Sequence, residues 1–355
     1  MKGRAVQSDY MHWAKNQRPV TYALSSSEVA HFLLDRLPLS IADLELTGAS
    51  HYRYRPLREA IGAKEGVPAE WVVAADGTSM ANMLGMAALI GPGDEVLIEQ
   101  PTYEPLLGVA GFLGAEVERF QRRPENGFAL DPEAVRRAVT PATKLIVLTN
   151  LHNPTSALAD ESALREIGSL GPHVLVDEVY LDSAAQPTRS AVHLGERFVA
   201  TSSLTKCYGL SGLRCGWILA EPGLAERIWR LNELFGVSQA HADERLSCIA
   251  LANLDRISEG TKELLARNRT LANAFFASRP ELDCAPLTGG ITAFPRLLRG
   301  DPDALDDLLR RKYDTSIVPG RWFEMPDRFR VGLGGPMPMI EEGLARLGRA
   351  LDEMK

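Results

Sequence analysis

Between residues 71 and 177 the sequence alternates between short apolar segments and helical segments, and this alternation limits the folds that are open to the chain. Each apolar segment has the length of a strand and is bounded by turn residues, as at 91–94. Such alternation predicts a largely parallel sheet with helices on both faces. The predicted strands are 71–75, 95–99, 115–120, 144–149 and 174–176, and the predicted helices are 79–89, 103–113, 132–139 and 159–170.

The two outer parts of the chain have a different pattern. Residues 1–45 are irregular with one short helix, and residues 257–277 carry apolar side chains at helical spacing, which predicts a helix between two domains. We therefore expect an α/β protein with a large domain at 46–256 and a smaller α+β domain at 1–45 and 257–355. In the smaller domain, the predicted strands are 291–294 and 329–331, and the predicted helices are 303–311 and 339–354.

Composition narrows the class of protein. The chain has 355 residues, of which 45% are hydrophobic and 24% are charged, as in a soluble globular protein. A formal net charge of −7 without a basic run argues against nucleic-acid binding. Its four cysteines are scattered without zinc-like spacing, so we expect a reducing compartment and no metal. We find neither a signal peptide nor an apolar segment of membrane-spanning length, so we expect a cytoplasmic protein with no membrane partner.

Lys206 lies in a glycine-rich turn between Ser203 and Arg214. An amine can form an imine with an aldehyde, and the nearby hydroxyl and guanidinium can hold a phosphate. This combination suits a phosphorylated aldehyde cofactor. On its own, the segment is equally compatible with an exposed lysine that follows a β-strand.

Asp177 ends a predicted buried strand, where a carboxylate needs a cationic or strongly donating partner. A protonated pyridine nitrogen would serve, and Tyr180, three residues later, could reach the ring hydroxyl or the imine. Asn153 follows another predicted strand and offers an amide donor to a ring oxygen; a cis bond before Pro154 would point that amide inward. The competing interpretations are a helix cap at Asp177, simple packing at Tyr180 and an ordinary Asn-Pro turn.

Two further strand ends carry polar or aromatic residues. Thr78 and Ser79 lie where a strand passes into a helix, a position that favours phosphate binding through backbone N–H groups. Tyr103 follows the next strand and could stack on a planar ring or pack in the core. Arg330 lies among apolar neighbours in a predicted strand, which suggests a bidentate carboxylate clamp if it is not a surface arginine.

Taken together, these residues resemble fold-type-I pyridoxal-phosphate enzymes of the class I/II aminotransferase family. The motifs occur in the family's order and near its spacings, from about residue 50 to 335. They are Gly77-Thr78-Ser79, Pro101-Thr102-Tyr103, Asn153-Pro154-Thr155, Asp177-Glu178-Val179-Tyr180, Ser203-Leu204-Thr205-Lys206, Gly212-Leu213-Arg214-Cys215-Gly216 and Phe329-Arg330.

The resemblance implies a pyridoxal 5'-phosphate-dependent aminotransferase that moves an amino group between an L-amino acid and a 2-keto acid. It implies that Lys206 forms the Schiff base and shuttles the proton, and that Arg330 takes the substrate α-carboxylate. The implied cofactor contacts are Asp177 to the pyridinium, Tyr180 and Asn153 to the ring oxygen, Tyr103 over one ring face, and Thr78, Ser79, Ser203 and Arg214 to the phosphate.

The resemblance also implies a homodimer in which a tyrosine reaches the partner's site, and Tyr52 is the candidate, with Tyr54 as its rival. The chain departs from the family pattern where Ser156 replaces the usual glycine and Leu151 the usual proline. These changes touch the substrate side, so another pyridoxal-phosphate reaction, such as β-elimination or oxidative amino-acid chemistry, stays open as an alternative.

Overall fold

A seven-stranded sheet forms the centre of the computed structural model, which describes residues 7–44, 46 and 52–354. In chain order, the strands are β1 (Tyr22–Ala23), β2 (Val72–Asp76), β3 (Glu95–Gln100), β4 (Glu116–Gln121), β5 (Thr143–Thr149), β6 (His173–Asp177), β7 (Phe198–Ser203), β8 (Cys215–Leu219), β9 (Leu282–Asp283), β10 (Thr292–Ala293), β11 (Arg296–Leu297), β12 (Thr315–Ser316), β13 (Val318–Pro319) and β14 (Phe329–Gly332).

The helices surround this sheet and build much of the C-terminal part of the chain. They are α1 (Asp9–Asn16), α2 (Arg55–Glu65), α3 (Gly77–Ala87), α4 (Glu104–Leu113), α5 (Pro132–Ala138), α6 (Glu161–Gly168), α7 (Pro222–Asn232), α8 (His241–Leu251), α9 (Leu254–Ile257), α10 (Thr261–Ala277), α11 (Pro302–Lys312) and α12 (Met337–Glu353).

The order of strands in the large sheet is β2-β8-β7-β6-β5-β3-β4. Strand β8 runs antiparallel to both of its neighbours, whereas the four other adjacent pairs are parallel. The prediction of an α/β fold with a mostly parallel sheet flanked by helices is therefore confirmed. Because β2 to β7 point the same way, their carboxyl ends meet at one edge, and the reversed β8 begins there.

The inner strands are continuous apolar runs because both of their faces are covered. In β5 and β7, nearly every residue is buried, as expected for strands between two helical layers. The helices bury one stripe each: α6 places Ala163, Leu164 and Ile167 against the sheet. At the start of α5, the Asp131 side chain accepts the N–H of Glu133 at 3.0 Å and so caps the helix.

The predicted continuous helix at 257–277 is wrong in its first turn. Helix α9 ends at Ile257, and α10 begins only at Thr261. Between them Gly260 has φ +73°, a left-handed conformation that interrupts a right-handed helix. Helical periodicity alone did not reveal this break.

The C-terminal part forms a second packing unit. A three-stranded antiparallel sheet, β10-β14-β13, packs with α10, α11 and α12 around a cluster of buried residues between 272 and 351, which Leu24 joins from the N-terminal part. Separate clusters of buried residues fill the spaces around the large sheet. These separate clusters support the two-domain division, which stays a prediction. In the described parts of the chain, we find no helix with the length and apolar character needed to cross a membrane.

Candidate active site

One cavity of about 760 Å³ lies at the edge of the large sheet where the carboxyl ends of the parallel strands meet. Ligands of open α/β sheets gather at such an edge. The structure brings together there every predicted site residue except Tyr52. These residues are Thr78, Ser79, Tyr103, Asn153, Asp177, Tyr180, Ser203, Lys206, Arg214 and Arg330.

One end of the cavity has the character of an anion site. Helix α3 begins at Gly77, so Thr78 and Ser79 lie in its first turn, and the Thr78 hydroxyl is buried without a protein partner among the described residues. The Arg214 guanidinium lies against this turn and donates to the Asp76 carbonyl at 3.1 Å. A helix N-terminus, the Thr78 hydroxyl and a guanidinium together suit a phosphate.

The turn at Gly77 requires glycine at two positions, Gly77 itself and Gly216. Gly77 has φ +76°, and a Cβ there would lie 2.3 Å from Nη2 of Arg214. On the neighbouring strand β8, a Cβ at Gly216 would lie 2.4 Å from the Gly77 backbone. The absence of a side chain at both positions lets this turn and the Arg214 guanidinium lie close together.

Asp177 is buried at the end of β6, and both of its oxygens are held. Oδ2 accepts from the Asn82 amide at 2.8 Å, and Oδ1 accepts from the N–H of Val179 at 3.1 Å. Asn82 is itself fixed by Thr201, whose hydroxyl donates to its Oδ1 at 2.6 Å. Burial raises the pKa of Asp177 to about 6, although these hydrogen bonds and the charge of Lys206 oppose the rise. A cationic ring nitrogen would favour the charged form.

Lys206 follows β7 and lies beside the N-terminal segment of the chain. Its Nζ is 3.7 Å from Oε2 of Glu28, and its backbone carbonyl accepts the N–H of Val29 at 3.0 Å. Glu28 and Asp177 are the carboxylates that line this cavity, among the residues described. Glu28 was not singled out from the sequence, where it follows three serines in an irregular segment.

Arg330 lines the cavity as a buried cation, with 1% of its surface exposed. Its guanidinium donates to the Asn153 side-chain oxygen at 3.1 Å, to the Tyr10 hydroxyl at 3.2 Å and to the Ser25 carbonyl at 3.3 Å. All three partners are neutral, and its Nε has no partner within the described ranges. A buried guanidinium with neutral partners suits a carboxylate ligand.

Three tyrosines, Tyr10, Tyr103 and Tyr180, line the cavity. The Tyr103 hydroxyl donates to the sulfur of Met11 at 3.4 Å, and its ring meets Tyr10 edge-on with centroids 5.8 Å apart. Burial raises the pKa of Tyr180 above its usual value, so this phenol stays protonated and can donate a hydrogen bond. Helix α1 therefore contributes to the site through Tyr10, a residue that the sequence did not indicate.

Tyr52 lies outside the cavity lining, with 47% of its surface exposed. Its hydroxyl donates to Glu233 at 2.5 Å within the same chain, and the rival Tyr54 packs edge-on against His241. The cross-subunit role of either tyrosine stays a prediction.

The cis bond considered before Pro154 is not found there. In the described part of the chain, the cis peptide bonds are Gln100–Pro101 and Asn150–Leu151. Asn153 is instead oriented by its hydrogen bonds, since Thr149 accepts its backbone N–H at 2.9 Å and Arg330 donates to its side-chain oxygen.

Asn82 is a third residue that sequence reasoning missed, after Glu28 and Tyr10. It lies three positions after Ser79 on α3 and therefore on the same helix face, which would have been a usable signal. Its partner Asp177 is 95 positions away, so only the assembled sheet makes their contact visible.

Comparison with known proteins identifies similar sequences and a similar solved structure. The sequence profile described as "Aminotransferase class I and II" matches residues 42–347. Capreomycidine synthase of Streptomyces vinaceus is 32% identical over 308 residues, which cover 83% of this chain and 78% of that protein. Arginine–pyruvate transaminase of Pseudomonas aeruginosa is 27% identical over 335 residues, covering 88% and 85%. The crystal structure of a PLP-dependent aminotransferase from Streptococcus suis covers 100% of this chain and 99% of its own at a TM-score of 0.91 and 26% identity.

Proposed function

The chain belongs to the aminotransferase class I and II family, and on that premise we propose that it moves an amino group between an L-amino acid and a 2-keto acid. Pyridoxal 5'-phosphate is the cofactor of this family, and the chain is an enzyme that depends on it. When bound, the cofactor supplies an electron-withdrawing ring that makes the substrate Cα–H bond acidic. The observation that carries the proposal is the single cavity shared by Lys206, Asp177, Arg214 and Arg330.

The residues of the cavity fit the three parts of this cofactor. Thr78, whose buried hydroxyl has no partner in the described ranges, would hold the phosphate together with Ser79, Ser203 and Arg214. The Asp177 carboxylate would hold the ring nitrogen and keep it protonated. Tyr180 and Asn153 would donate to the ring oxygen, and Tyr103 would cover one ring face.

The remaining groups would handle the substrate. Arg330 would bind the α-carboxylate, because it is a buried cation whose protein partners are neutral. Lys206 would hold the cofactor covalently until the substrate arrives, then take the Cα proton and deliver it two atoms away, to the carbon on the other side of the amino nitrogen. The buried position of Arg330 would fix the Cα–H bond relative to Lys206 and exclude water from the carboxylate.

The test compares the wild-type chain with Lys206→Ala. We expect borohydride to fix pyridoxal 5'-phosphate to Lys206 in the wild type, as a mass increase on the peptide that contains it. Amino transfer to a keto acid should fall at least about a hundredfold in Lys206→Ala, as expected for loss of a positioned acid–base group. Attachment at another lysine, or unchanged turnover, would refute the assignment.

A second candidate is a different pyridoxal-phosphate reaction on the same scaffold. It is favoured by the 32% identity to capreomycidine synthase, whereas the arginine–pyruvate transaminase favours transfer. Stoichiometry separates the two: transfer consumes one keto acid for each amino donor, and the other reactions proceed without a keto acid. L-Arginine with pyruvate is the first pair to assay, since one relative is named for it.

We further propose that the chain forms a homodimer and that Tyr52 reaches the partner's site. Tyr52 is exposed, and the apolar side chains of Leu234 and Phe235, which follow its partner Glu233, are exposed too. Light scattering should report two chains per particle. Tyr52→Phe should weaken cofactor affinity, whereas Tyr54→Phe, the matched control, should not; the reverse outcome would exchange the two roles. The cytoplasmic location stays a prediction.

A further inference from the structure

A buried polar network links the ends of three strands behind the cavity. Glu99 lies near the end of β3, Arg122 directly follows β4, and Thr149 ends β5. The side chains of Glu99 and Arg122 are 0% exposed. We propose that Glu99, anchored by Arg122, is a positioning residue that orients Asn153 through the Thr149 hydroxyl. This inference rests on the proposed function, because it concerns how Asn153 meets the cofactor and substrate.

The carboxylate fixes the direction of each hydrogen bond in the network. Arg122 donates from Nη1 to Oε2 of Glu99 at 2.9 Å. Oε1 of Glu99 accepts both the N–H and the hydroxyl of Thr149, each at 2.7 Å. Since the only proton of that hydroxyl goes to Glu99, its lone pairs remain to accept the N–H of Asn153, which lies 2.9 Å away.

Asn153 is thereby held from both sides. Its backbone is tied to Thr149, and its side-chain oxygen accepts from Arg330 at 3.1 Å. With the oxygen occupied, the amide nitrogen is the group of Asn153 left to donate into the cavity. The network thus presents a donor for the ring oxygen next to the guanidinium proposed for the substrate carboxylate.

An amide in place of the carboxylate cannot keep this pattern. Oε1 of Glu99 faces two donors of Thr149, and Oε2 faces a donor of Arg122. Either orientation of a glutamine side chain would therefore point its NH₂ at another donor. One branch of the network must break, and a buried group without its partner is costly.

The same pair of strands offers a matched control at the opposite edge of the sheet. Glu95 begins β3, and its carboxylate accepts the hydroxyls of Thr143, which begins β5, and of Thr140. Glu95→Gln and Thr143→Val therefore repeat the two chemical changes, glutamate to glutamine and threonine to valine, far from the cavity.

The experiment uses full-length protein loaded with pyridoxal 5'-phosphate and two optical readouts. The first is the affinity for 2-aminoisobutyrate, which has no Cα proton for Lys206 to take. The second is the pH midpoint of the visible absorption of the bound cofactor. We expect Glu99→Gln and Thr149→Val each to weaken 2-aminoisobutyrate binding about tenfold, the effect of one lost buried hydrogen bond. The midpoint should move upward, because a displaced donor stabilises a negative ring oxygen less.

Four further variants separate positioning from general damage. Thr149→Ser keeps the hydroxyl and should restore both readouts to near wild-type values. The double variant Glu99→Gln/Thr149→Val should resemble Thr149→Val alone, because both changes interrupt one chain of hydrogen bonds. Glu95→Gln and Thr143→Val should leave both readouts unchanged.

The inference fails if Glu99→Gln and Glu95→Gln give the same readouts, or if the effects of Glu99→Gln and Thr149→Val simply add. If Glu99→Gln does not fold, the comparison of Thr149→Val with Thr149→Ser still tests the proposal. Equal readouts in these two variants would refute the orientation of Asn153 through the Thr149 hydroxyl. A wild-type chain that acquires no visible absorption with pyridoxal 5'-phosphate would refute the proposed function as well, which distinguishes the two failures.

Discussion

Asp177 illustrates how single residues of this protein are arranged around a charge that the fold only partly stabilises. Its carboxylate is buried and receives one amide and one backbone hydrogen bond, yet burial still raises its pKa to about 6. A structural carboxylate would normally be paired with a cation or hydrogen-bonded until its pKa fell. The incomplete stabilisation is what a partner for a protonated ring nitrogen requires.

We predict that Asp177→Asn weakens pyridoxal 5'-phosphate binding at least about tenfold near neutral pH, as expected for loss of a charged hydrogen-bond partner. Because only the anion pairs with a protonated nitrogen, the wild-type advantage should grow as the pH rises through about 6. Absorbance titration of both proteins across this range measures it. An advantage that is constant with pH would contradict the role.

The residues at the strand ends could be anticipated from the sequence, whereas those that support them could not. Asp177 and Asn153 lie at the ends of predicted strands whose carboxyl ends must share an edge in a parallel sheet, and Lys206 was indicated by the glycine-rich turn around it. Asn82 and Glu28 act through partners 95 and 178 positions away, and no local pattern announces such contacts. Their identification needed the assembled fold.

At the scale of elements, the antiparallel strand β8 begins directly after Arg214 and lies beside the Asp76–Gly77 turn that precedes Thr78 and Ser79. Its register sets Gly216 opposite Ala75 of β2, the residue immediately before the Asp76–Gly77 turn. The missing side chain of Gly216 lets the Gly77 backbone approach closely. Thr78 and Ser79 therefore owe their position to a glycine on another strand.

We predict that Gly216→Ala destabilises the protein by about 1–3 kcal/mol, the usual cost of forcing extra volume into a packed site. It should also weaken cofactor binding, because the displaced backbone is the turn that precedes Thr78. Gly108→Ala is the control, since Gly108 lies in α4 and a Cβ there meets no atom within 4 Å. Urea denaturation and cofactor titration measure both effects, and equal values for the two variants would exclude this explanation.

The types of the predicted elements followed from periodicity, but the break within 257–277 did not, and β7 and β8 had not been predicted. The apolar runs of β3, β5 and β6 and the helices between them have the order that the sequence predicts. The break before α10 depends on the backbone angle of Gly260, which periodicity does not encode because glycine is tolerated within helices at a modest cost.

At the scale of the whole molecule, the site lies between clusters of buried residues that belong to different parts of the chain. One small cluster joins Tyr10 and Phe128 to Phe294, and another joins Val29 and Tyr180 to Ile291. Both clusters border residues of the cavity. The stability of the whole protein and the geometry of the site are therefore linked.

We predict that this stability falls as the pH rises from about 4.5 to about 8, in part because of Glu178. Glu178 is buried beside Asp177, accepts the N–H of Ala191 at 2.7 Å, and has its pKa raised to about 8 by burial. The folded state therefore holds this proton more tightly than the unfolded state, and the free energy of unfolding decreases as the proton is lost.

Glu178→Gln keeps the acceptor for Ala191 and cannot ionise, so its stability should fall less over the same pH range. Thermal melts at several pH values, with the exposed Glu118→Gln as control, provide the measurement. Parallel curves for wild type and Glu178→Gln would show that Glu178 does not contribute.

The guanidinium of Arg330, buried among a phenol, an amide and a carbonyl, also has a consequence at the bench. Acetate, citrate or succinate from a purification buffer offers the group that this cation lacks. Such salts should compete with every amino acid tested, so kinetic constants recorded in them would describe displacement of the buffer as much as recognition of the substrate.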